Sequence, residues 1–265
     1  MSSKEKRNEL LAHQRNQTSE KTAVAITALV LMTLKTALAE VVEGIRNNKG
    51  IIIPDWFQKQ LLLSVRDRSI AVAQDTWDIV GNQYGWVVVE DDDSVTPLLT
   101  GIWGANASDS FYKSQVPLRV SDRVREMSHR HKQTFTEKIE NKFNKNIEKL
   151  GTIATATKIK EEITKDNLSY SKLVGMDASY WASNEGAMGR FINEGVQYFE
   201  WFATKDEKTC VWCNQLHGET IRKGEPFKRR GDVLTYGERH LNAFPWDIYH
   251  SPLHNHCRCI LIPKN

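Results

Sequence analysis

The apolar positions Val120, Val124, Met127, His131, Phe135, Ile139, Phe143, Ile147 and Leu150 recur at steps of three and four. That is the period of one helix face, and it predicts a long helix over about residues 121–150. Gly151 follows as its stop. An earlier run, residues 22–46, is apolar on nearly every side up to Leu34, which predicts a helix buried on more than one face. The polar residues 1–21 before it read as a frayed or helical arm. Asn47 to Gly50 breaks the run. Pro54 suits the first turn of a new helix, whose stripe of Trp56, Phe57, Leu61, Val65, Ile70, Val72 and Trp77 carries it to about Val80. Gly81 to Gly85 reads as a turn, and Trp86 to Glu90, rich in β-branched residues, as a short strand. Residues 94–118 read as loop with short helical pieces. Two further helices are expected near Ala156–Lys165 and Ser171–Glu194. The alternating Val196–Ala203 predicts a strand, with Arg258–Ile262 as its partner.

This pattern describes an α+β protein with a mainly α-helical body over residues 1–170 and a small β-containing module over 171–265. A chain of 265 residues has ample material for a core. Hydrophobic content of 40% and charged content of 26% are ordinary for a soluble globular chain, and a formal charge of +3 selects no class of partner. The uncharged part of the 22–46 run lies between Lys21 and Lys35, short of the roughly 20 residues a spanning helix needs, so no membrane role is expected. No apolar signal region follows the charged N-terminus.

The chemistry concentrates near the C-terminus. Cys210 and Cys213 form a Cys-x-x-Cys pair, and Cys257 and Cys259 flank Arg258 just after His254 and His256. All four cysteines lie in these two clusters. Two locally dense groups of soft ligands suit a tetrahedral structural zinc site. Disulfides, the competing reading, need an oxidising compartment. Alternation along a strand would put only one of Cys257 and Cys259 on the metal, with His254 completing a three-cysteine, one-histidine shell. A bulge would instead bring both cysteines in and release the histidine. His256 and His217 are fallback ligands. A small module with a thin core commonly depends on such a metal for much of its folding energy.

The segments Ala182 to Glu185, Gly195 to Thr204, Asp206 to Cys213, Leu216 to Gly218, Pro252 to His254, Cys257 to Cys259 and Pro263 resemble, in order and spacing, the C-terminal domain of the phage head morphogenesis family. This is the minor head protein family named after the F protein of phage Mu. The resemblance spans roughly residues 175–263. The family pattern often carries Asn two residues after its histidine, where this chain has His256. The resemblance implies a non-enzymatic minor head protein of a tailed phage. Such a protein sits in the head interior near the portal, acts in head assembly and DNA packaging, and contacts the portal, major capsid or scaffold protein. Residues 1–170 carry no comparable match, but the 22–46 helix is apolar beyond what one buried face requires, so the N-terminal helices are expected to dock on such a partner and the zinc module to fold as a compact unit. Glu185 matches the family's acidic position, for which a helix-end or packing role is expected.

Double-stranded DNA, bound without sequence preference, is a further expected partner. Its candidate contacts are Arg123, Arg130, Lys138 and Lys142 on the long helix, and Lys228, Arg229 and Arg230 between the cysteine clusters. The competing reading is a solvated helix face laced with pairs such as Glu126–Arg130. Asp91 to Asp93 reads as a solvated loop. Gly-rich phosphate loops, nucleophile elbows and paired-carboxylate motifs are not found. Five histidines near the cysteines keep a zinc-dependent, HNH-like nuclease as one alternative. A zinc-stabilised DNA-binding protein is the other.

Overall fold

The computed structural model describes residues 3–84, 109–204, 206–207, 209–241, 244, 246–254 and 256–264. The strand expected at residues 86–90 and the acidic loop 91–93 lie outside these.

Helix α1 spans Ser3–Arg46, so the expected arm and helix are one element. Asn48 and Gly50 end it with φ of 57° and 76°. Helix α2 spans Trp56–Tyr84 and runs through the turn expected at Gly81. The Arg190 guanidinium packs against Gly81, its Cζ 2.8 Å from where a Cβ would stand. Helix α3 spans Asp109–Asn193 with a non-helical break at Gly151, φ 70° and ψ 174°. Its start lies well before the expected Ser121, because the buried stripe of Val116, Val120 and Val124 extends upstream past Pro117.

The break at Gly151 folds α3 into an antiparallel hairpin. Lys142 meets Glu162, His131 meets Tyr170, and Arg119 meets Glu185, three pairs stepping outward on either side of the bend. The second limb is continuous to Asn193 where two helices were expected. Residues 166–170 contain neither glycine nor proline, and the buried Ile163, Asn167, Ser171 and Val174 carry the inward face across the gap. The residue 170/171 boundary between body and module therefore lies inside a helix.

Two cores result. The first is helical, with Ile26, Val30 and Leu34 of α1, Phe57 and Trp77 of α2, and Phe135 and Ile159 of α3. Its helices cross closely at glycines. A Cβ on Gly175 would stand 2.5 Å from the Ala23 carbonyl oxygen, and one on Gly186 only 2.1 Å from that of Ala73. The outward side of α1 keeps Leu10, Val24 and Met32 exposed. By length and composition α1 could cross a membrane, and 39% of its most apolar window is buried. The buried positions are those that pack on α2 and α3, as in a core helix.

The second core is built on a three-stranded antiparallel sheet of order β2–β1–β5. Strand β1 is Tyr198–Phe202, β2 is Thr220–Arg222 and β5 is Ile260–Lys264. Phe199 and Trp201 of β1 are fully buried while Tyr198 is 49% exposed, the alternation expected of a sheet with one face packed. A short helix, α4, Val211–Leu216, sits between β1 and β2. A two-stranded hairpin of β3, Leu234–Tyr236, and β4, Arg239–Leu241, gives internal structure to the long segment between the cysteine clusters.

This second core is not self-contained. Leu11 and Ala12 of α1, Val80 of α2, and Ala187, Met188 and Phe191 of α3 belong to it. Arg15, fully buried, donates to the Leu261 carbonyl of β5 at 2.8 Å and to Asn184 Oδ1 at 2.8 Å. Asn184 in turn accepts from Leu261 N at 2.8 Å and donates to Ser251 Oγ at 2.7 Å. The expectation that the module folds as a separate compact unit is corrected here, because the three long helices supply one side of its core.

Candidate metal centre and the adjoining cleft

Strand β1 ends at Phe202, and the chain turns through Thr204 and Thr209 into α4. Cys210 is the N-cap of α4, extended at φ −75° and ψ 161°, and its sulfur accepts from Cys213 N at 3.4 Å. A cap and the third residue after it lie on one side of the first turn, so this geometry aims both sulfurs the same way. The second cluster arrives on the approach to β5. Cys257 N donates to the His254 carbonyl at 3.1 Å, a tight turn that brings the His254 ring back over the sulfurs.

The donors converge. His254 Nε2 lies 2.9 Å from Cys210 Sγ and 3.2 Å from Cys213 Sγ, and Cys213 Sγ lies 3.6 Å from Cys257 Sγ. The ligand atoms of Cys210, Cys213 and His254 lie within 4.8 Å of one another, as do those of Cys213, Cys257 and Cys259. Both groups could hold a metal ion, and Cys213 belongs to each. The four cysteines are free thiols, with Cys213, Cys257 and Cys259 buried and Cys210 partly so. Bare thiols so close compete for protons. Hydrogen bonds from Cys257 and Cys259 push Cys213 up, and those from Cys213 and Cys259 hold Cys257 well down; the Cys213 hydrogen bond lowers Cys259, but the Cys257 hydrogen bond and burial outweigh it and push it up.

Two expectations about this cluster change. Cys257 and Cys259 were placed on a strand that would send them to opposite faces, but β5 begins only at Ile260. Residues 257–259 are irregular, and both sulfurs face Cys213 without releasing His254. His256 is exposed at a positive φ of 62°. His217 Nδ1 instead accepts from Ala203 N at 3.1 Å, tying the end of α4 to β1. Neither fallback histidine belongs to either donor group.

The basic positions do not form one exposed track. Arg123 and Arg130 turn inward, their guanidinium carbons 4.5 and 4.7 Å from the Trp246 ring centroid. Lys138 Nζ lies 5.0 Å over the Tyr170 ring, and Lys142 Nζ lies 2.7 Å from Glu162 Oε2. Lys228 Nζ bonds Glu219 at 2.9 Å. Arg229 and Arg230 are exposed, on a turn whose backbone N–H groups donate to Asp232 and Asp247.

A cleft of about 840 Å³ lies between the α3 hairpin and the segment 244–254. Glu185 stands in its wall at mid-helix, not at a helix end, and is buried. His250 Nδ1 donates to the Ser251 carbonyl at 2.6 Å while its Nε2 lies 3.0 Å from Glu185 Oε2. Arg119, 61% exposed at the mouth, donates to Glu185 Oε1 at 3.0 Å. Burial pushes the Glu185 carboxyl up, but the His250 hydrogen bond and the His250 and Arg119 charges outweigh it and hold the group below the usual carboxylate range. His131 is half-buried, its Nδ1 2.5 Å from the Tyr170 hydroxyl, and burial with the Arg130 charge pushes it down to about 4. Sequence reasoning missed Asp177 and Trp181 as partners of the arginines and His250 as the partner of Glu185. Their signal was the four-residue spacing of Arg119 and Arg123 on one limb and of Asp177, Trp181 and Glu185 on the other.

Comparison with family models, with curated proteins and with solved structures returns no match to this chain.

Proposed function

We propose that this chain is a non-enzymatic minor head protein of a tailed bacteriophage, with a structural zinc ion clipping its C-terminal module. The observation that carries the reading is the pair of overlapping donor groups, Cys210 with Cys213 and His254, and Cys213 with Cys257 and Cys259, which two distant sequence clusters form around the shared Cys213. Those clusters lie within the stretch that resembles the head morphogenesis family. Zinc suits the donor set, since thiolate and imidazole are its preferred ligands. Sulfurs on a tetrahedral zinc stand about 3.8 Å apart when each bond is about 2.3 Å, and the observed 3.6 Å between Cys213 and Cys257 is close to that edge. Cys259 then lies beside the shell as a buried neighbour. Bound metal would hold the thiols deprotonated and give the thin sheet a cross-link.

In this reading the exposed apolar residues of α1, Leu10, Val24 and Met32, face the portal, capsid or scaffold protein. Contact with the duplex surface falls to the exposed Arg229 and Arg230, since Lys138, Lys142 and Lys228 are engaged within the fold and Arg123 and Arg130 lie in the cleft wall. Localisation is the head interior, after assembly in the host cytoplasm. A Cys-rich closed shell leaves no open position on the metal, which argues against the nuclease alternative.

Two measurements test this. Metal analysis of protein purified without added zinc is expected to give about one equivalent per chain; a folded, reduced, metal-free protein overturns the zinc assignment. Mass spectrometry of purified particles and procapsids is expected to find the chain in both; its absence from both overturns the head assignment.

A further inference from the structure

The cleft beside the metal centre has the size and lining of a ligand site. Its volume of about 840 Å³ falls within the roughly 300–1,000 Å³ typical of small-molecule pockets. Arg123 and Arg130 occupy one wall, and Trp246 lies against both guanidinium groups. Trp181 is a second ring, 5.9 Å from Arg123. Lys223 stands on the rim.

The two arginines have more donors than the fold uses. Arg123 gives one N–H to Glu126 at 3.1 Å, while Arg130 is 3.9 Å from the same carboxylate, too long for a hydrogen bond. The Nε atoms of both are buried without a hydrogen-bond partner. A ligand in the cleft would meet the terminal N–H groups, of which Arg123 gives one to Glu126 and Arg130 gives none within hydrogen-bond distance among the described residues. Burial and the adjacent Arg123 charge lower Arg130 below its ordinary value, the mark of a locally positive site.

The cleft also holds carboxyl groups, and their roles differ. Glu185 is taken up by Arg119 and His250. Asp177 faces Arg123 and Arg130 with no hydrogen bond among the described residues, and burial pushes its carboxyl up. Asp177 therefore offsets the arginines incompletely. Two guanidinium groups stacked on one indole require several acceptor oxygens in a small volume. A phosphate supplies them, and Arg forks match it. Rings of tryptophan alongside favour a planar group on the same molecule.

We propose that this cleft binds a phosphate ester carrying a planar ring, as in a nucleotide or a nucleic-acid strand end, with Arg123 and Arg130 donating to the phosphate and Trp246 beside the ring. The site stands independently of the head-protein reading.

The test titrates the intact protein with AMP, with inorganic phosphate and with 5′-phosphorylated octathymidylate, by calorimetry and tryptophan fluorescence. AMP is expected to saturate, and inorganic phosphate to compete with it. The double substitution Arg123→Gln with Arg130→Gln is expected to weaken AMP at least about tenfold. Asp177→Asn, which removes the opposing carboxylate, is expected to tighten it about threefold. Arg46→Gln with Lys49→Gln, exposed residues outside the cleft, is expected to change nothing. Octathymidylate binding at least about tenfold tighter than AMP identifies a strand as the ligand; equal binding identifies a mononucleotide. The proposal is overturned if neither AMP nor the oligonucleotide saturates, if the folded Arg123/Arg130 variant keeps its affinity, or if the Arg46/Lys49 variant loses it. Should the arginine variant fail to fold, Asp177→Asn decides: unchanged or weaker AMP binding overturns the proposal.

Discussion

The helical body and the C-terminal module bury their side chains by different means. The body is held by long helices whose apolar faces meet along tens of residues, and its largest buried groups, Trp77, Phe57 and Leu34, have dense apolar surroundings. The module has strands of three to five residues. It makes up the deficit with the helix ends lent by the body, a polar knot at Asn184 and Arg15, and two donor groups that share Cys213. A large core tolerates the loss of one contact. A thin one stands or falls with its cross-links.

The largest effect is expected at the cross-link. Cys213→Ser, or chelation of the proposed zinc, should unfold the module while leaving most helical signal in place, seen as loss of near-ultraviolet signal from Trp201 with little change in the far ultraviolet. Full retention of the Trp201 environment after metal removal would make the module as self-supporting as the body. Next is Trp77→Ala, expected to destabilise the whole chain by about 3–5 kcal/mol in denaturant titration. That substitution should shift both probes together, since α2 and α3 serve both cores. Gly186→Ala should follow, about 1–3 kcal/mol, because its methyl would collide with the Ala73 carbonyl. Asn184→Ala is expected to cost about 1–3 kcal/mol, concentrated in the module, by removing the side-chain acceptor that Leu261 N and one Arg15 nitrogen share.

The smallest effect is a dependence on pH. His131 is held neutral in the fold, down to about 4 from an ordinary 6.5. A histidine with a lowered folded value contributes stability that is present above its unfolded value and is lost as pH falls from about 6.5 towards 4. His131→Gln should flatten the body's stability profile in that window and leave the profile at neutral pH unchanged. Glu185, held below its ordinary value, acts lower. Its contribution is present above the unfolded carboxylate value and fades as pH falls through the folded one, so Glu185→Gln should matter at neutral pH and lose its effect in acid.

How much of this was legible in the chain differs between the two regions for the same reason. The body was readable because helical period is a local signal: Val120 to Leu150 announces its own face, and Gly151 its end. The continuity of α3 across residues 166–170 was not readable, because packing on α1 decides it. In the module, β1 was readable from alternation, but β2, β3 and β4 are three-residue strands below any pattern. The cysteine clusters were legible as a group. Their arrangement was not, since a strand was assumed where the donors themselves hold residues 257–259 out of the sheet. The inward turn of Arg123 and Arg130 was hidden because Trp246 is more than a hundred positions away.

The bond from Arg15 to the Leu261 carbonyl joins residues 246 positions apart. Loop closure over such a span comes late, after local helices have formed. While the chain is being made, α1 leaves the ribosome with Leu11, Ala12 and a cationic Arg15 that have no place to go until β5 appears. That end of α1 therefore stays partly unsheltered until β5 has been made. A chain cut short before Leu261 would leave Arg15 without its carbonyl partner on β5 and the cysteine cluster without its strand, with apolar surface open to aggregation.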